Sequence, residues 1–570
     1  MTVKPQFSPY AESLLVHFRR VESIKSESVS YPSVDLGVRQ LCDLELLVNR
    51  AFYPLQGFMT RDEYESVLEH MRLPDGALWP IPICLDVTEK LASSLATGES
   101  LAIRDGEGFM LAVLHVEDIW QPDLGREAEV VYGTRDPARH PGVRAFFEET
   151  KPWYVGGKIE GLHLPQHYDF PELRLTPSET HRIFSQNGWR KVIGFHTRDN
   201  LHCAHKEMIL RAAREAGASI LLHPVVGRPR SGDLDYFTLV HCYKQFVQKF
   251  PRNMIRLGLT PFAERFAGPR EVLLQAIVRK NFGCTHYMVS EDQGDPFAAN
   301  GQDLFYPRGS AQEVLAEHVG DIGITMVPIR RMVYVEDKSQ YIAVDEVQPG
   351  MSVKEISSVE LRRRLMEDLE IPDWYSFPEV VAELRKAYPP RHRQGFTIFL
   401  TGLSGAGKST LAKVLLAKFM EMSDRPVTLL DGDIVRKNLS SELSFSREHR
   451  ELNIRRIGFV ASEITKNGGI AICAPIAPYE EPRQIVRELI QGYGGFIEVH
   501  MCTPLSVCEM RDRKGIYAKA RAGLMKGVTG VDDPYIAPSN PELRIDTSEM
   551  TPTEAAQEVF LYLEEQGYIR

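Results

Sequence analysis

The sequence predicts a multidomain α/β protein that ends in a parallel-sheet unit built around a phosphate-binding loop. Three observations predict it. At ~100–200 residues per domain, the 570-residue chain holds three to five domains. Short β-like runs give way near residue 166 to alternating strands and amphipathic helices. Late in the chain, "FTIFLTGLSGAGKSTLAKVLLAKF" reads as strand, glycine loop and helix.

Residues 1–165 carry the runs "WPIPICLDV", "SLAIRD", "GFMLAVLHVEDIW" and "EAEVVYG" between Gly, Pro and Asp turns, which predicts a β-rich domain. From 166 to 330 "KVIGFHT", "HCAHKEMILRAAREAG" and "SILLHPVVG" follow one another. "NMIRLGLTP", "GPREVLLQAIVRKNFG" and "THYMVSE" then repeat the rhythm, so a parallel sheet with helices on its faces is expected. Residues 331–390 form a small third domain with helices in "SVELRRRLMEDL" and "FPEVVAELRKAY", and "YPPRHRQG" reads as a linker. The last unit, 391–570, has strands in "FTIFLTG", "PVTLLDGD", "GIAICAPIA" and "GFIEVHM".

Composition narrows the function classes. A net charge of −10 argues against a general nucleic-acid or membrane-surface binder. The eight cysteines form no C-x-x-C pair, which fits reduced thiols and not a disulfide framework or a zinc site. No apolar signal core opens the chain, and no apolar run approaches the ~20 residues that span a bilayer. A cytoplasmic protein with no nucleic-acid or membrane partner is expected.

The phosphate cradle comprises Gly402, Ser404, Gly405, Ala406, Gly407, Lys408, Ser409 and Thr410. Its glycines permit a tight anion-binding turn, and the helix N-terminus adds donors and a positive dipole. Lys408 is expected on the β- and γ-phosphates of ATP, and the Ser409 hydroxyl on Mg²⁺. Asp433, in "LLDGDIVRKNL", falls just past a strand's carboxyl end beside the loop. A carboxylate there can deprotonate or orient an acceptor hydroxyl, or help hold the metal.

Together with "LSSELSFSREHRELNIRRI", "APIAPYEEPR", "CEMRDRKGIYAKARAGLMKG" and "TGVDDPY", these motifs resemble adenylylsulfate (APS) kinase over residues 396–570. The resemblance implies phosphoryl transfer from ATP to the ribose 3′-hydroxyl of APS, a step of sulfate assimilation that gives PAPS and ADP. It implies that Arg436, Arg450 and Asn453 contact APS, that Phe445 stacks on its purine, and that Lys514 closes a basic lid. Val528 stands where the family usually has Phe, and Ala477 where many members have Ser.

The larger half centres on "FHTRDNLHCAHKEMIL", with His202 and His205 at a strand-to-helix junction. An H-x-x-H pair can be satisfied by backbone, can bind metal with Cys203, or can serve a nucleotide-phosphate site at a helix N-terminus. The surrounding text ("YVGGKIEGLHLPQHYDFPELRLTPSET", "HPVVGRPRSGDLD", "RFAGPREVLLQAIVRKNFGCTHYMV") resembles ATP sulfurylase over residues 1–390. That family has a β-rich N-terminal domain, a nucleotidyltransferase α/β domain with the H-x-x-H loop, and a small third domain. The pair resembles a bifunctional PAPS synthetase.

Where the family has Gln-Thr-Arg-Asn, this chain has His196, Thr197, Arg198 and Asp199. Its Gly-Arg-Asp-His run is replaced by Ser290, Glu291, Asp292 and Gln293, and its Ser-Gly-Thr loop by Ser357, Ser358 and Val359. Arg198, His202 and His205 remain as a sulfurylase-like site, with Asp199 and Glu291 expected to surround it with negative charge. The expectation is an APS kinase fused to a sulfurylase-like half of weak or lost activity, using ATP and Mg²⁺ and forming a homodimer or larger homo-oligomer. The alternatives are a true bifunctional PAPS synthetase with an active sulfate adenylyltransferase, and a nucleotide-sensing regulatory module.

Overall fold

The computed structural model describes residues 13–198, 200–227, 235–298, 303–422 and 425–570, and at 433 the backbone alone. The chain forms two compact units. One comprises residues up to 357 with 371–387, and the other 358–370 with 388–570.

The first unit opens on a six-stranded sheet of β1 (Ser33–Asp35), β2 (Gly57–Phe58), β3 (Leu85–Val87), β4 (Ser100–Arg104), β5 (Met110–Trp120) and β6 (Trp153–Gly161). Its order is β1-β4-β5-β6-β2, with β3 also on β6. β5 and β6 are the long antiparallel pair, and β5 shifts register between Val116 and Asp118. The expected β-rich domain is there, with one correction. "EAEVVYG" is not a strand but the end of helix α1 (Leu124–Tyr132). Its β-branched residues suggested pleating, but Glu127, Ala128, Val131 and Tyr132 are buried at helical spacing. Asp123 caps the first turn by accepting from the Arg126 N–H, and Gly133 ends the helix at φ 76°.

A second sheet follows: β7 (Val192–Phe195), β8 (Ser219–Leu222), β9 (Ile255–Leu257), β10 (His286–Val289) and β11 (Thr325–Pro328). All neighbours in its order, β11-β10-β7-β8-β9, are parallel, as the strand–helix rhythm predicts. Helix α2 (Cys203–Ala216) leaves the carboxyl end of β7. A small antiparallel sheet, β12 (Met332–Val335), β13 (Gln340–Ala343) and β14 (Val353–Lys354), completes the unit.

The second unit is a five-stranded parallel sheet: β15 (Phe396–Gly402), β16 (Val427–Asp431), β17 (Ile470–Ala474), β18 (Gly495–Met501) and β19 (Leu543–Ile545). Its order is β16-β17-β15-β18-β19. β15 is wholly buried at its centre, where the strand order turns and α/β sheets open a crevice. The segment "YPPRHRQG" is not a bare tether. Arg391 donates to the Gln566 carbonyl at 3.0 Å and Arg425 to the His392 carbonyl at 3.1 Å. Helix α3 (Ser358–Met366) also belongs to this unit.

Candidate active site

β15 delivers the chain into the glycine loop, and helix α4 (Lys408–Met422) carries it away. Leu411, Leu415 and Phe419 anchor α4 in the core, against residues that include Val559 and Leu563. The loop needs its glycines. Gly402, Gly405 and Gly407 have φ of 148°, 82° and 97°. A Cβ at Gly402 would meet the Met501 carbonyl oxygen at 2.6 Å, and one at Gly405 the Cys508 carbonyl oxygen at 2.9 Å.

Lys408 is buried at the floor, and its ammonium donates to the Gly402 and Leu403 carbonyls at 2.9 and 2.7 Å. Burial pulls its pKa down to about 8, and the Lys514 charge adds to the fall while Cys508 and Asp431 oppose it. Tyr517 holds the Ser404 carbonyl at 2.8 Å. Arg511 braces the loop by donating to the Thr547 hydroxyl at 2.8 Å, and that hydroxyl donates to the Ala406 carbonyl at 3.2 Å.

A cleft of 820 Å³ joins this loop to the other predicted residues. Ser404, Gly405, Gly407, Lys408, Ser409 and Thr410 line one end, with Lys514. Arg436, Phe445, Arg450 and Asn453 line it too, beside Asp431. Gly402 and Ala406 shape the loop without lining the cleft. Asp433 falls in the first turn of helix α5 (Gly432–Asn438), straight after β16; its side chain lies outside the described set.

The arginines are organised by the protein. The Arg436 guanidinium sits 4.2 Å from the Phe445 ring centroid. Arg450, near the start of helix α6 (Arg447–Lys466), donates from Nε to the Phe445 carbonyl at 2.8 Å. From Nη1 it donates to the Thr529 hydroxyl at 2.9 Å and the Asp533 carboxylate at 2.7 Å. From Nη2 it donates to the Gly527 carbonyl. Asn453 lines the cleft as a buried residue, and its Oδ1 is enclosed with no hydrogen-bond partner among the described residues.

In the first unit, His202 and His205 do meet at the start of α2, with ring centroids 4.3 Å apart. His205 Nδ1 accepts from the His202 backbone N–H at 3.3 Å, and loss of solvent pushes the His205 pKa down to about 4. His202 stacks on Tyr375 at 4.6 Å. Among the described residues no cluster of His, Cys, Asp and Glu could hold a metal.

Arg198 is ion-paired with Glu264 and lies 5.4 Å from the Phe266 ring. His196 is buried 3.6 Å from the same carboxylate, and Gln293 Nε2 lies 3.5 Å from its ring. Burial chiefly, then the Arg279 charge, lower the His196 pKa, so its ring is neutral at pH 7. Burial raises the Glu264 pKa, but the neighbouring His196 and Arg198 outweigh it and hold the carboxyl below its usual range. This corrects the expected source of negative charge. Glu291 is exposed and pairs with Arg308 at 3.1 Å, whereas the carboxylate against Arg198 is Glu264; Asp199 lies outside the described residues.

Three family models match the chain in succession. Residues 4–164 match the PUA-like domain family, 171–387 the ATP-sulfurylase family and 394–546 the adenylylsulphate kinase family. A sulfate adenylyltransferase of Chaetomium globosum is 45% identical over 553 residues, 96% of each chain. One from Mycosarcoma maydis is 44% identical over 552 residues, at the same coverage. The chain belongs to the sulfate adenylyltransferase family. It is an enzyme in which an adenylylsulphate kinase unit is fused behind an ATP-sulfurylase unit. A solved structure described as a hexameric APS kinase from Thiobacillus denitrificans is 42% identical with a TM-score of 0.80, covering 98% of each chain.

Within this chain, sequence reading missed Glu264, Arg511, Thr547 and Asp533. Each acts through a partner distant in the chain: Glu264 lies 66 positions from Arg198, and Asp533 83 from Arg450. Val528, the departure from Phe, is buried at the cleft wall. Ala477 has φ 46°, and its carbonyl accepts from Thr401 and Arg483.

Proposed function

We propose that the C-terminal unit transfers the γ-phosphoryl group of ATP to the 3′-hydroxyl of APS, giving PAPS and ADP. The observation that carries this reading is the single cleft with Lys408 at its phosphate loop and Phe445, Arg436 and Asn453 for a nucleoside acceptor. The acceptor oxygen attacks the γ-phosphorus, the bond to the ADP oxygen breaks, and Asp433 takes the hydroxyl proton. Lys408 offsets charge on the phosphates, and Lys514 adds to it from the lid. Arg436 attracts the phosphosulfate, and Phe445 offers its ring to adenine. Asn453 lines the same cleft, where its side-chain amide suits a polar edge of the acceptor nucleotide.

Ser409 and Asp431 both line the cleft, and their oxygens suit Mg²⁺, which takes few protein ligands and completes its shell with phosphate and water. When bound there, Mg²⁺ would neutralise charge on the β- and γ-phosphates. Lys408→Ala tests the assignment: PAPS formation should fall by more than tenfold, about 1.4 kcal/mol of barrier. A smaller loss contradicts the role.

For the N-terminal unit we propose ATP:sulfate adenylyltransfer, making the chain bifunctional, because relatives 45% identical over 96% of the chain bear that name. The comparisons back this better than the expectation of weak or lost activity. That expectation keeps one observation in its favour: Glu264 pairs with Arg198, and His196 beside it is neutral, so an anion meets little net positive charge. Sulfate-dependent pyrophosphate release from ATP by the full chain separates the two. Intact Lys408 and Ser409 count against a purely regulatory P-loop. The hexameric relative supports a homo-oligomer here.

A further inference from the structure

Arg450 is held by more partners than a substrate-binding arginine needs. A guanidinium has five N–H donors. At Arg450 four of them go to the protein: the Phe445 carbonyl, the Thr529 hydroxyl, the Asp533 carboxylate and the Gly527 carbonyl. The side chain therefore ties two separate segments that both line the cleft, the loop bearing Phe445 and the loop bearing Val528.

The second loop has its own internal brace. Asp532 accepts from the Gly527 and Val528 N–H groups at 2.5 and 2.6 Å, and the Gly530 N–H reaches the Asp533 carbonyl at 2.7 Å. Asp532 thus shapes the loop, whereas the Asp533 carboxylate points outward to Arg450. The other Asp533 oxygen accepts from the Tyr479 hydroxyl at 2.9 Å. Tyr479 in turn lies under the Arg447 guanidinium, 4.8 Å from its ring centroid. The chain of contacts runs Tyr479, Asp533, Arg450, Phe445.

We infer that Asp533, fixed by Tyr479, is a positioning residue for the acceptor nucleotide: it sets Arg450 as a clasp holding Phe445 and the 527–529 loop around one end of the cleft. The inference rests on the APS kinase reading of this cleft. Charge-assisted, two-sided contacts fix geometry better than neutral ones. The clasp matters more in this chain because Val528 brings no second ring, so the placement of the acceptor base depends on where Phe445 is held. Asp533 touches no phosphate-loop residue among its described contacts, so ATP should be indifferent to it.

The test measures equilibrium binding of APS and steady-state kinetics on the full-length protein and on Tyr479→Phe, Asp533→Asn and Asp533→Glu. Tyr479→Phe and Asp533→Asn should each weaken APS binding and raise the KM for APS by about tenfold. The KM for ATP should stay within about twofold, and kcat should fall by less than the KM for APS rises. Asp533→Glu, which keeps the charge, should recover part of the loss. Unchanged APS affinity in Asp533→Asn would overturn the inference, as would a parallel loss of APS and ATP affinity, which marks a structural role. A wild-type protein that binds no APS would overturn the reading of the cleft and this inference together.

Discussion

Lys408 shows how burial sets the behaviour of a single charged group. Its ammonium is taken out of water and donates to two carbonyls, and burial draws its pKa down to about 8. The protonated form is the one that attracts phosphate. As pH rises through about 8 the free enzyme loses that charge, so kcat/KM for ATP should fall above that pH and stay flat just below it. A profile flat to pH 9.5 would contradict the assignment. Asp433→Asn should lower kcat far more than it raises the KM for APS, because a proton acceptor acts in the transition state. If the KM alone moves, Asp433 binds and another group takes the proton. Lys408 was legible in the sequence because its loop is contiguous, and the glycines that permit the turn stand beside the lysine. Glu264 and Asp533 were not, since nothing local marks a carboxylate that meets its arginine only through the fold.

Elements were read correctly where one period dominated. β15 is buried throughout and mostly apolar, and α4 repeats its apolar residues every three to four positions, so strand and helix were both plain. α1 failed because Val130, Val131 and Tyr132 are strand formers by type, while its caps, Asp123 and Gly133, carry the helix signal. The helix buries Glu127, which accepts from Tyr64 at 3.1 Å and Tyr154 at 2.9 Å. Burial raises this carboxyl to about 7 against the hydrogen bonds that lower it. The folded chain therefore holds a proton there that the unfolded chain releases near its ordinary pKa of 4.5. The stability of the N-terminal unit should thus fall as pH rises from about 4.5 to 7, by about 1.4 kcal/mol per unit at most. Glu127→Gln should flatten that slope in thermal unfolding between pH 5 and 7.5. An unchanged slope would mean that another group carries it.

At the scale of the whole molecule, the two units answer differently to sequence reading. The kinase unit brings most of its predicted site residues to one cleft, lined by residues between 404 and 555, so motif and geometry largely coincide. A fragment of residues 388–570 should therefore phosphorylate APS with an unchanged KM for ATP, keeping Arg391 on the Gln566 carbonyl. An inactive but folded fragment would show that other parts of the chain complete the site. In the sulfurylase unit the altered residues were visible, but their consequence was not, because charge at Arg198 is set by Glu264. The central claim is that this chain makes PAPS, and the direct measurement incubates the full-length protein with ATP, Mg²⁺ and APS and follows phosphate on the ribose 3′-oxygen. Stoichiometric PAPS and ADP, lost in Lys408→Ala, is the predicted result. ATP and APS left unchanged by the wild-type protein would contradict the account.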